Sequence, residues 1–113
     1  MMKVQIDTQY LLQLAREDKM SVLEIIDDFA NMTAESLNHL EAMVMPKIQL
    51  SAISKILHQL KGSSSSLGMV SLARIFAEME QWKQSQWENS GYNHKELIRH
   101  LEESILLSKE ALT

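Results

Sequence analysis

From Val22 to Val44 the apolar residues fall at intervals of three and four, with no glycine or proline among them. Val22, Ile25, Ile26, Phe29, Met32, Leu37, Leu40, Met43 and Val44 carry the pattern. A strand would need alternation, so a run of this length and spacing reads as a long amphipathic helix. Ser21 is the expected N-cap, with Glu24 three residues on as its capping-box partner. Pro46 is the expected stop, because the residue before a proline avoids the helical region. Punctuation is scarce along the whole chain, with three glycines, one proline and 5% aromatic residues. A many-turned β fold needs more.

The same reading extends to both sides. Asp7 is the expected N-cap of a short first helix carrying Tyr10, Leu11 and Leu14. A third helix is expected from about Leu50. Ser63 to Ser66 has the composition of a flexible linker. Leu60, Ser64 and Leu67 nevertheless keep helical spacing, and a small Ser64 on the inner face would let a neighbouring helix come close. The third helix is therefore continued to about Leu67, with Gly68 as its C′ residue. A fourth carries Met69, Leu72, Ile75, Phe76 and Met79, and is expected to run to near Trp87, before Asn89-Ser90-Gly91. Asn93 caps a last helix with Leu97, Ile98, Leu101, Ile105 and Leu112. The expected fold is all-α: an up-down four-helix bundle with a short N-terminal covering helix, one domain over residues 1–113. The apolar stripes are assigned to the core.

Several functions are disfavoured by what the chain lacks. Its formal net charge of −4 argues against nucleic acid and anionic membrane as partners. Without cysteine it has no disulfide framework and no thiolate metal site. The N-terminus lacks a leader-like apolar stretch, and no segment approaches the ~20 apolar residues of a membrane span. A cytoplasmic location is the expectation. No Gly-x-x-x-x-Gly-Lys phosphate loop occurs. His39, His58, His94 and His100 lack metal-ligand spacing, so no metal is expected. No Gly-x-Ser-x-Gly elbow surrounds the serine run.

One polar constellation stands out. On the third helix Ile53, Ile56, Leu57, Leu60, Ser64 and Leu67 share the inner face. His58 then projects roughly 155° from the centre of that face, into water. Gly62 lies one turn further along the same line, and Lys61 and Ser65 flank it. An open imidazole beside a lysine, with no side chain blocking its next turn, is a nucleophile a partner protein could reach. On position alone, a surface histidine without a role is the commoner case.

The residues Leu57-His58-Gln59-Leu60-Lys61-Gly62-Ser63-Ser64, then Leu67-Gly68, Leu72 and Met79-Glu80, resemble the histidine-containing phosphotransfer (HPt) domain. The flanking helices fit that family's layout, and the size is similar to its free-standing members. The resemblance implies a phosphorelay intermediate. His58 would accept a phosphoryl group from a receiver aspartyl-phosphate and pass it to another response-regulator receiver. A free imidazole titrates near pH 6.5, so at neutral pH it is mostly neutral and one ring nitrogen keeps its lone pair. Lys61 would contribute positive charge, although a lysine here could also simply snorkel. Glu80 would fix the tautomer of His58, unless it is a solvated flank. Lys55, Gln59, Gly62, Ser65 and Arg74 are the expected partner-binding residues. The chain would be a phosphoryl carrier with no kinase activity and no cofactor of its own, Mg²⁺ being supplied by the partner receiver. Implied partners are receiver domains and a hybrid sensor kinase, with the chain a monomer. The alternative is a helical adaptor that docks signalling proteins without carrying phosphate.

Overall fold

Asp7 caps the first helix as its sequence position demands, its carboxylate accepting from the Tyr10 backbone N–H. In the computed structural model, which describes residues 3–44, 47–89 and 92–113, the chain is helical throughout. The elements are α1 (Thr8–Leu14), α2 (Lys19–Val44), α3 (Leu50–Ser66), α4 (Val70–Glu80), α5 (Gln84–Asn89) and α6 (His94–Leu112). Among the described residues there is no strand, and no helix is long and apolar enough to cross a membrane.

The helix α2 starts two residues before the expected cap. Asp18, not Ser21, takes the capping role, accepting from both the backbone N–H and the hydroxyl of Ser21. Asp is as good an N-cap as Ser, and here it satisfies a free amide and a hydroxyl together. Pro46, the expected stop, lies outside the described residues. The helix α3 does continue through the serine run. Ser64 and Ser66 donate back to the carbonyls of Leu60 and Gly62, so neither hydroxyl draws the backbone out of the helix. Gly68 follows at φ +71°, the left-handed conformation that lets the chain leave the helix.

The fourth helix is shorter than its pattern suggested. It ends at Glu80, where Gln81 and Trp82 bond to carbonyls three residues back and tighten the last turn. The short α5 then begins, with the Gln86 side chain accepting from the Lys83 amide. Five residues along a straight helix would set Trp82 and Trp87 roughly 140° apart. The break brings them together edge to face, with ring centroids 4.7 Å apart, and buries Trp87.

The helix α3 packs most closely on α4 and also meets α2; α6 meets α2 and α4, so these four form a ring, and α1 lies against α6. Phe76, Leu11, Ile26, Leu37, Leu57 and Leu72 fill the interior. At 25 cal/mol per Å², each such side chain contributes about 2 kcal/mol on burial. Four residues assigned to the core are not in it: Tyr10 and Leu14 are exposed, and Ile25 and Met32 are each 50% exposed. Thr33 takes the inner position instead. The ion pair Lys109–Asp27 and the hydrogen bond from the Tyr92 hydroxyl to the Leu37 carbonyl tie α6 and the segment before it to α2.

The segment before α1 runs alongside the start of α4. Gln5 exchanges backbone and side-chain hydrogen bonds with Ser71, and the Asp7 amide donates to the Gly68 carbonyl. Ser71 also lies 2.7 Å from Nε2 of His100, whose ring is buried.

Candidate functional site

The site is built where α3 runs beside α4. The buried face of α3 is Ile53, Leu57, Leu60 and Ser64. Burying that face fixes the rotation of the helix and turns His58 outward, with its side chain 70% exposed. Among the described residues its one hydrogen-bond partner is on α4. Nδ1 lies 3.0 Å from Oε2 of Glu80, the last residue of α4. The other carboxylate oxygen of Glu80 accepts from the Lys61 ammonium at 2.8 Å. Three of the sequence-predicted residues thus meet through one carboxylate.

The electrostatics of the trio decide the tautomer. The hydrogen bond from Lys61 holds the Glu80 carboxyl below the usual carboxylate range; partial burial opposes it, and the His58 bond adds to it. Glu80 is therefore ionised at neutral pH and can only accept. The proton of the His58–Glu80 bond then sits on Nδ1, an assignment inferred from the network. The lone pair is left on Nε2, at the exposed end of the ring.

Gly62 leaves open space next to that ring. A Cβ added there would meet nothing within 4 Å. His58, Gln59 and Gly62 share a shallow depression with Ser63 and Ser66 of α3 and with Met32 and Ser36 of α2. Lys55 and Ser65 on α3 and Arg74 on α4 are exposed as expected, but none is hydrogen-bonded or ion-paired to the trio. They lie outside its bonded core.

Sequence reasoning missed the wall that α2 contributes. Next to the depression, and sharing Met32, Ser63 and Ser66 with it, runs an apolar groove of about 450 Å³. Leu14, Ile25, Phe29 and Leu67 also line it, with Asp28 as its one charged residue. The assignment of every apolar stripe residue to the core is corrected here. On a helical wheel Ile25 and Met32 lie roughly 75–100° to one side of the buried centre of α2, and that offset is the signal that could have found them.

Among the described residues no group of three or more His, Cys, Asp or Glu side chains could hold a metal ion. The site offers instead an exposed imidazole, a lysine one turn away and a carboxylate that orders both. Such a set can accept an electrophilic group brought by a partner. Neither a curated protein nor a solved structure matches the chain. A family model, that of the Hpt domain, matches residues 24–106.

Proposed function

The chain belongs to the Hpt-domain family, and on that premise we propose that His58 is its phosphoacceptor and that the chain passes a phosphoryl group between receiver domains. Membership places it in histidine phosphotransfer within two-component signalling, where Hpt domains engage response-regulator receivers. The observation that carries the residue assignment is the ring of His58 held at Nδ1 by Glu80 with Nε2 exposed.

In this reading the Nε2 lone pair attacks phosphorus in line, and the bond to the receiver's aspartyl oxygen breaks. The carboxylate leaves with the electron pair. Positioning and positive charge stabilise the moving group. The receiver supplies the aspartyl phosphate, its own lysine and Mg²⁺; the chain supplies the oriented ring, the charge of Lys61 and the clearance at Gly62. Glu80 keeps the proton on Nδ1 and so keeps the nucleophilic nitrogen at the accessible end. The ring of α2, α3, α4 and α6 is read as an up-down four-helix bundle, covered at one end by α1, acting as a monomer.

The docking face in this reading is broader than the charged set. Lys55, Gln59, Ser65 and Arg74 form its polar part, and the groove lined by Ile25 and Met32 is its apolar centre. A transient interface of that mixed kind suits a relay that must release each partner. The test is incubation with a receiver charged by acetyl phosphate in Mg²⁺, followed by intact mass. An acid-labile gain of one phosphoryl group, lost in His58→Gln, is the expected result. Receiver binding without any gain in mass would leave the adaptor reading in its place.

A further inference from the structure

The geometry points to an exchange of counter-ions at Glu80: when His58 is phosphorylated, the carboxylate releases Lys61 to the phosphoryl group and keeps the charged ring in its place. The inference rests on His58 being the phosphoacceptor.

It begins from where Lys61 is in the resting chain. Its ammonium is bound to Oε1 of Glu80, on the Nδ1 side of the imidazole. Nε2 lies across the ring from that bond. The positive charge that a phosphoryl group needs is thus held behind the nucleophile. In the resting trio Lys61 is the counter-ion of the Glu80 carboxylate, 2.8 Å away.

Phosphorylation changes this pairing. A neutral imidazole protonated at Nδ1 uses its Nε2 lone pair to form the N–P bond, and the receiver's carboxylate departs with the electrons of the broken O–P bond. No proton moves. The ring is left cationic, with Nδ1 and its proton already turned to Oε2 of Glu80, the two heavy atoms 3.0 Å apart. A dianionic group has also appeared on the opposite edge. Glu80 has acquired a counter-ion of its own, in place and with no reorganisation. Lys61 is now surplus there, and it faces a stronger anion one turn along the same helix.

The surroundings permit the move. The Lys61 side chain is 35% exposed, so its four-carbon stem has room to swing, and Gly62 presents no Cβ beside it. The Glu80 side chain, 14% exposed, is the fixed member. It sits at the end of α4, the helix that buries Met79 and Phe76. A fixed anion flanked by one mobile cation and one cation that exists only after transfer is a two-state arrangement. The chain would therefore report its phosphorylation state on its surface through the position of Lys61.

The test uses the full chain labelled with ¹³C-lysine and phosphorylated chemically by phosphoramidate, with uptake at His58 followed by intact mass and ³¹P resonance. In the resting wild type the Lys61 Cε resonance should differ from that in Glu80→Gln, where the ammonium has no anion to hold it. After phosphorylation the wild-type signal should move and a Lys61–phosphoryl contact should appear in both proteins. A Lys61 signal unmoved in a chain shown to carry phosphate on His58 would overturn the exchange and leave the phosphoacceptor standing. A chain that takes no phosphate at His58 would overturn both.

Discussion

Replacing Gly62 separates stability from transfer. The residue lies inside α3, four positions before its last residue, where glycine is a poor choice. Alanine is favoured over glycine in a helix interior by about 1 kcal/mol. Corrections to that figure are small here. A Cβ at Gly62 meets nothing within 4 Å, so it gains no packing and makes no clash, and the backbone is not in the left-handed region. Gly62→Ala should therefore stabilise the chain by about 1 kcal/mol, roughly fivefold in the folding equilibrium, and raise the melting midpoint by about 5 °C. Gly62→Gln should also be at least as stable as the wild type, because glutamine is a better helix former than glycine. Its longer side chain, however, fills the space beside His58 and should slow phosphotransfer about tenfold or more by displacing the incoming group. Urea unfolding and a quench-flow transfer assay read the two effects separately. A less stable Ala variant, or a folded Gln variant that transfers at the wild-type rate, would refute the placement of Gly62 as functional clearance.

Other expectations follow from the described contacts. Gly68→Ala should cost about 1–2 kcal/mol, the penalty of a left-handed alanine, since Gly68 sits at φ +71° with Tyr10 Cδ2 3.1 Å from a new Cβ; an unchanged urea midpoint would contradict it. Met32→Asp and Ile25→Asp should change stability by under about 0.5 kcal/mol, yet weaken receiver binding about tenfold in titration calorimetry; unaltered binding would exclude the groove from the interface. Burial holds the His100 ring below its ordinary value, against a smaller opposing effect of the Glu103 charge. The unfolded chain therefore takes up that proton first as pH falls below about 6.5, and native stability declines from there until the folded ring also protonates. The stability difference between wild type and His100→Gln should shrink between pH 7.5 and pH 5.5, and a constant difference over that range would refute the assignment.

How far the sequence could be read depended on whether local chemistry or packing decided each point. Asp7 and Asn93 cap their helices through their own side chains, a local matter, and both were legible. The end of α3 at Gly68 was legible for the same reason. The break after Glu80 was not, because Gln81-Trp82-Lys83 contains no breaker; the edge-to-face packing of Trp82 and Trp87 accompanies it. Three-and-four spacing admitted both Met32 and Thr33 to the inner face of α2, and hydropathy favoured the wrong one. The burial of His100 was not legible, because its hydrogen-bond partner, Ser71, comes from an element distant in the chain. The site fared better than these. His58 and Gly62 were fixed by the helical wheel of α3 alone. Glu80 needed the packing of α4 on α3, and its hold on Lys61, which moves the lysine away from Nε2, was not visible without coordinates.

All four residues of that trio and its clearance come from one hairpin of consecutive helices, Leu50 to Glu80, and the bonded pairs are only 22 and 19 positions apart. Closing so short a loop costs little chain entropy compared with joining α2 to α6, whose ion pair spans Asp27 to Lys109. Folding that begins with the nearest contacts would assemble the hairpin that carries His58 first and seal the distant helices around it afterwards. Mutations that loosen the α2–α6 seam would then speed unfolding more than they slow folding. The hairpin that orients His58 and the seam that sets the lifetime of the fold are then free to drift in sequence on separate schedules.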